Sequence, residues 1–314
     1  MRGVFIRKAY VCTMSTCVHL HTPALESGVI FQARKDYCVA LAHMAMAAAE
    51  SGMQILAYAL MSNHFHFILK GTCGQLFFQT FIRRFALYLA RHGNPGVLNR
   101  LVAESTPITS REQFRTEVAY VIRNPFVVRE DIHPFVNLQT SAFLYFNPLL
   151  PYLHSRPVKG MSIRQKQTVT MSKDIGLPDT LMMIDDMPHP ASFVNYKLVE
   201  SMFESARQFA YYVAKNVEAQ VEVARRLGEK PVFPDEELLP LCLKLLREAF
   251  GTSKYAELTE AQRLSVASRL KYDFNASNKQ LARLLRVPLP AVDAMFPLSS
   301  QSRQQKRPLN VAET

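Results

Sequence analysis

The chain has 314 residues with 48% apolar and 20% charged residues, and a formal net charge of +11. That composition fills a real core at a length suited to about two domains of roughly 150 residues. It excludes an acidic disordered tail, a collagen-like rod and a disulfide miniprotein. The five cysteines (12, 17, 38, 73 and 242) form no C-x-x-C pair, so the expectation is a reducing, cytoplasmic compartment. No apolar run reaches the ~18 residues of a membrane span and no secretory signal is evident, so no membrane partner is expected. Residues 1–150 hold 14 Lys and Arg against 8 Asp and Glu, and residues 244–314 hold 12 against 6. Two basic blocks around a mildly acidic connector suit a polyanion, although basic chains also look like this for solubility alone.

Short apolar runs within residues 4–21 predict a first strand region. Tyr37–Glu50, rich in Ala, Leu and Met without Gly or Pro, predicts a buried helix ended by Ser51-Gly52. Residues 53–60 and 64–69 predict two strands joined by Met61-Ser62-Asn63. Residues 75–92 predict an amphipathic helix closed by the turn at 93–96. Ser110 with Gln113 matches a capping box, opening a helix expected to stop near Asn124 because Pro125 follows. Residues 133–190, punctuated by Pro and Gly, predict an irregular linker or cover. A helix, whole or interrupted, is expected over about 192–226, with several short helices over 235–296.

His64-Phe65-His66 lies in the second of those strands. Alternation puts both imidazoles on one face and Phe65 in the opposite layer. Two neutral imidazoles a few ångströms apart suit a divalent metal, and equally fit two half-buried sheet histidines. On the following helix, Tyr120 and Asn124 are i and i+4 and share a face.

The stretch Leu60–Leu69 (LMSNHFHFIL) and the helix end Tyr120-Val121-Ile122-Arg123-Asn124-Pro125 resemble the motifs of the single-tyrosine HUH transposases. The closest subgroup is the REP-associated tyrosine transposases. Ser62 stands where that group usually has proline, and Val127 where it usually has arginine. The resemblance implies an α+β, ferredoxin-like HUH domain with an antiparallel sheet over about 1–135, then a linker or cover over 136–190. A mostly helical extension over 191–314 would follow. It implies that Tyr120 is the nucleophile, that His64, His66 and Asn124 hold Mg²⁺ or Mn²⁺, and that a 5′-phosphotyrosine forms on single-stranded, hairpin-bearing DNA. Such a protein would be nucleoid-associated, and a monomer or homodimer. The alternatives are a catalytically inactive DNA-binding regulator descended from a transposase, or a metal-dependent nuclease that uses water.

Further DNA contacts are expected from Arg83, Arg84 and Tyr88 on a basic-aromatic helix, and from Arg123. Residues 278–296 resemble a helix-turn-helix, with Lys279, Arg283 and Arg286 as its basic candidates.

Overall fold

In the computed structural model, the described residues are 16–25, 29–92, 94–128, 139–215, 217–228, 233 and 235–297. The part of the first predicted strand region before residue 16 and the turn residue Gly93 lie outside them. The chain divides into two compact units, one up to Glu229 and one from Lys230. A boundary expected at 135 is therefore not where the contacts divide.

The first unit opens with β1 (Cys17–His21), α1 (Arg34–Ser51), β2 (Gln54–Leu60), β3 (Phe65–Lys70), α2 (Gly74–Arg91) and β4 (Glu104–Pro107). The strands form one sheet in the order β2-β3-β1-β4, with every neighbouring pair antiparallel. This βαββαβ succession in that strand order is the ferredoxin-like arrangement, so the class is α+β. The register places His21 opposite His66 and His19 opposite Ile68. Paired residues in an antiparallel ladder share a face, so His19, His21 and His66 all lie on one side of the sheet.

The other side carries α1 and α2. Phe65, Phe67, Leu20, Tyr58 and Leu69 pack there with the helix residues of both. Along α2 the rings of Phe77, Phe81, Phe85 and Tyr88 recur at helical spacing, with successive centroids 5.7–6.5 Å apart. They are the buried face of the predicted amphipathic helix. Fully burying a ring of this kind is worth about 1.5–3 kcal/mol.

α3 (Arg111–Val128) lies on the histidine side of the sheet, against β2 and β3. Gln113 N–H donates to Ser110 Oγ (3.1 Å), and Thr109 N–H donates to Gln113 Oε1 (2.9 Å), which fixes the helix start. The helix continues past Pro125 rather than ending at Asn124. A proline removes one backbone hydrogen bond and disfavours the preceding helical residue, but packing can outweigh that local cost.

Residues 139–228 are an integral part of this unit. Ala142 and Tyr145 join the core under α3, and Leu150 joins the core under α1 and α2. A second, three-stranded sheet follows, made of β5 (Arg156–Pro157), β6 (Met182–Ile184) and β7 (Met187–Pro188), with α4 (Ile163–Thr170) between its first two strands. Val158, Val169, Leu177 and Met183 pack on Ala42, Ala45 and Met46, the outer side of α1. That cover explains why α1 has no polar face: it is buried from both sides. The helix expected over about 192–226, whole or interrupted, is interrupted twice, as α5 (Tyr196–Ser201), α6 (Ala206–Lys215) and α7 (Val217–Arg226).

The second unit is helical: α8 (Asp235–Phe250), α9 (Glu260–Ser265), α10 (Ala267–Asp273), α11 (Asn278–Leu285) and α12 (Leu289–Met295). Ser277 caps α11 through Gln280 N–H, and Arg286 takes a left-handed conformation (φ 53°) at its end. Val292 is fully buried in α12.

Among the described residues, no helix is long and apolar enough to cross a membrane.

Candidate functional site

The predicted site residues of the sheet and of α3 come together on the histidine side. α3 begins just after Ile108, whose N–H donates to Cys17 O, and runs toward the end of the sheet where His21 faces His66. Its residues therefore meet the histidines in sequence. Glu117 Oε2 lies 2.5 Å from His19 Nδ1. One turn on, the Tyr120 ring sits 5.8 Å from that of His66 and 6.4 Å from that of His19. Asn124 follows on the same helical face, about 6 Å further along the axis from Tyr120. Its Nδ2 is buried with no hydrogen-bond partner among the described residues.

His64 sits just before β3, its ring 4.9 Å from that of His66. Two imidazoles that share one metal at a bond length near 2.1 Å have centroids roughly 4.5–5 Å apart, so the pair has the required spacing. Protonation also suits it. Burial lowers His66 far below the ordinary imidazole value, with His64, His19 and His21 adding repulsion. Burial, then His21, takes His64 down to about 4. Both rings are neutral near pH 7 and keep a lone pair for coordination.

Hydrogen bonds set which nitrogen carries that lone pair. His64 Nδ1 donates to Asn63 Oδ1 (2.8 Å), which leaves the lone pair on Nε2. Ionised Glu117 can only accept, so His19 Nδ1 is the donor in that contact. The other His19 nitrogen, Nε2, lies 3.1 Å from His66 Nδ1, so the Glu117–His19 pair fixes the orientation of the His66 ring. Glu117 is fully buried, and its other oxygen accepts from Gln113 Nε2 (3.0 Å) and from the Arg226 guanidinium of α7. Burial alone would raise its pKa, but the His19 hydrogen bond and charge, Gln113 and Arg226 outweigh it and lower the pKa.

His19, His21, Glu117 and Arg226 were not among the residues expected from the sequence. The signal for the first two was present: Val18-His19-Leu20-His21 repeats the His-x-His spacing of 64–66 in a strand. His21 lies stacked on His66 at 6.1 Å, its Nδ1 without a partner among the described residues, and its pKa is lowered by burial and by His19.

Among the described residues, no three His, Cys, Asp or Glu side chains form a metal-binding group by themselves. A third protein ligand beside His64 and His66 would come from another residue type, and the sequence motif offers Asn124. Two imidazoles and one amide oxygen make a neutral donor set that suits Mn²⁺ better than the oxygen-seeking Mg²⁺.

The expected DNA contacts fare differently. Arg83, Arg84 and Tyr88 lie on α2, on the opposite side of the sheet. Arg84 is mostly buried, held by Glu50 (2.6 Å) and Asp174. Tyr88 is 3% exposed and donates its hydroxyl to Asp36 Oδ1 (2.6 Å), so it packs internally and does not offer a ring for stacking. Replacing Tyr88 by Phe is expected to cost about 1–2 kcal/mol in thermal denaturation and to leave DNA affinity unchanged. Arg83 is exposed, 3.6 Å from Glu50. Arg123 is buried on α3. In the second unit Arg283 is held by Asp235 through two contacts, 2.7 and 3.1 Å, and Arg286 lies over the Tyr255 ring. Lys279 is exposed, whereas α12 carries no basic side chain.

His43 on α1 supplies a separate acid sensitivity. Its Nε2 lies 3.0 Å from the Thr170 carbonyl, and burial lowers its pKa from 6.5 to about 4 against the opposing pull of that carbonyl. Between those two values the unfolded chain binds the extra proton. Stability is therefore full above pH 6.5 and falls as the pH drops toward 4, by up to ~1.4 kcal/mol per pH unit from this ring. Denaturant titrations across pH 4–7 should show a slope shallower by about that amount in His43→Gln.

No family model, curated protein or solved structure matches the chain.

Proposed function

We propose that the protein is a metal-dependent DNA strand transferase of the single-tyrosine HUH type, acting on single-stranded, hairpin-bearing DNA. The reading rests on the motif resemblance, and one geometric observation supports it above all. Tyr120 lies beside His66 on a sheet face whose histidines are oriented from behind by Glu117, with Asn124 one turn further on.

His64, His66 and Asn124 would hold Mg²⁺ or Mn²⁺. When bound, such an ion supplies positive charge to a phosphodiester oxygen and fixes the phosphate's orientation. Asn63 orients the His64 ring, and His19 with Glu117 orients His66, so the ligands are set before DNA arrives. The Tyr120 oxygen, on losing its proton, attacks phosphorus. The P–O3′ bond breaks, the leaving 3′-oxygen takes up a proton, and the 5′-phosphate remains on the tyrosine. The new ester keeps the bond energy, so a second 3′-hydroxyl can displace Tyr120 and rejoin a strand without ATP. His64 and Asn124 are the half-buried members of the set, so the strand enters over them.

The test is incubation of the full chain with hairpin-bearing single strands, with and without Mn²⁺. The expected product is a denaturation-resistant protein–DNA adduct that requires the metal and is lost in His64→Ala and His66→Ala. DNA binding without any adduct would favour the regulator, and a free 5′-phosphate without adduct would favour the water-using nuclease.

A further inference from the structure

We infer that residues 149–173 form a second binding surface for single-stranded DNA, separate from the histidine site; the choice of DNA as occupant rests on the function proposed above. No Asp or Glu occurs between Asp131 and Asp174, while Arg156, Lys159, Arg164, Lys166 and Lys173 all fall within that interval. Arg156, Lys159, Arg164 and Lys173 are exposed. Among the described residues, none of these five cations pairs with a carboxylate, and Arg156 reaches only the Asp185 carbonyl (3.3 Å). Other arginines of the chain are held: Arg34 by Asp186, Arg84 by Glu50 and Asp174, Arg115 beside Glu112 and Glu204. Cations without an internal partner carry mobile counterions, and a polyanion gains free energy by releasing them.

An aromatic ring stands beside these charges. Tyr152 is 77% exposed and is flanked by Leu149 (64%) and Leu153 (41%). Its ring is left to solvent although its neighbour Leu150 is anchored in the core. Exposed rings next to unpaired cations are the elements by which proteins follow a single strand: phosphates meet the cations, and bases stack on the ring. The platform is preorganised. Arg156 belongs to the β5–β6–β7 sheet, Val158 is fully buried, and Ser162 and Gln165 cap α4 reciprocally.

Its position separates it from the chemistry. The chain passes from Ala142 and Tyr145 on the α3 side, beside β2, to Leu150 and Val158 on the α1 side. The surface therefore lies on the opposite side of the sheet from Tyr120, suited to holding strand outside the segment being cut.

The experiment measures fluorescence anisotropy of a labelled oligothymidylate with the full-length Tyr120→Phe chain in EDTA, over a series of salt concentrations. Arg156→Gln/Lys159→Gln/Arg164→Gln should reduce the slope of log K against log salt by about 2, from ~0.7 per cation on single strands. Tyr152→Ala should weaken binding about tenfold with the slope unchanged, as loss of one stacking ring predicts. Unaltered affinity and slope in both variants, while the parent binds, would overturn this inference and leave the proposed function standing. Loss of binding to phosphatidylglycerol vesicles in place of DNA would overturn it in favour of a membrane surface. No strand binding by the parent would overturn both.

Discussion

Tyr120→Phe is expected to reduce covalent protein–DNA adduct to background while strand binding stays within about twofold of wild type. Phenylalanine retains the ring that packs 5.8 Å from His66 and 6.4 Å from His19, so the fold and the imidazole orientations persist. What disappears is the oxygen that the proposed mechanism uses to attack phosphorus. Because no covalent intermediate can form without it, the loss is qualitative rather than a graded change in rate. Gel separation after denaturation, run beside anisotropy measurements, checks both halves of the prediction. Persisting cleavage with free 5′-phosphate would mean that water is the nucleophile and that Tyr120 is a packing residue.

Glu117→Ala should have the second largest effect, on two separate readouts. Its carboxylate is fully buried and serves His19, Gln113 and Arg226 together. Truncation leaves the buried His19 ring and the partly exposed Arg226 guanidinium without their acceptor, and a buried donor left unsatisfied costs about 1–3 kcal/mol. It also removes the group that holds the His19 ring, and through it the orientation of His66. Losing such an outer hydrogen bond typically weakens metal binding about 10–100-fold. Mn²⁺ titration followed by electron paramagnetic resonance measures the second effect without reference to DNA, and urea denaturation measures the first. Glu117→Gln separates them: it preserves volume and so should lose less stability. One amide oxygen cannot accept from both His19 and Arg226, so metal binding should still weaken. Unchanged Mn²⁺ affinity in both variants would show that the bonds behind His66 do not prepare it as a ligand.

The sequence made local periodicities legible. His64-Phe65-His66 alternates across a strand, and Phe65 lies in the α1–α2 layer while His66 faces α3. Tyr120 and Asn124 share one helical face because four residues make roughly one turn. Longer-range relations were hidden. β4 consists of Glu104-Ser105-Thr106-Pro107, an exposed polar edge strand without an apolar alternation to announce it. Tyr88 and Arg84 read as a basic-aromatic surface because a sequence cannot show that Asp36 and Asp174 fold against them. The region after 133 read as an irregular linker or cover, since its Pro and Gly spacing defeats periodicity, and the structure makes it a cover. The clue lay elsewhere, in α1: a helix apolar on all sides needs a second cover, and residues 156–188 supply it. His19 and His21 were visible as a strand pair, but their meaning depends on antiparallel pairing with β3, which brings His21 opposite His66.

The identity of the nucleophile is open to direct chemical reading. Trypsin cuts after Arg115 and Arg123, which isolates Thr116–Arg123, a peptide that holds Tyr120 and no other tyrosine. After reaction with a hairpin-bearing strand and Mn²⁺, then nuclease and trypsin digestion, mass spectrometry should find this peptide carrying a 5′-linked nucleotide on Tyr120. A nucleotide on any other residue, or cleaved strand with the peptide unmodified, would contradict the assignment of Tyr120 as the attacking group.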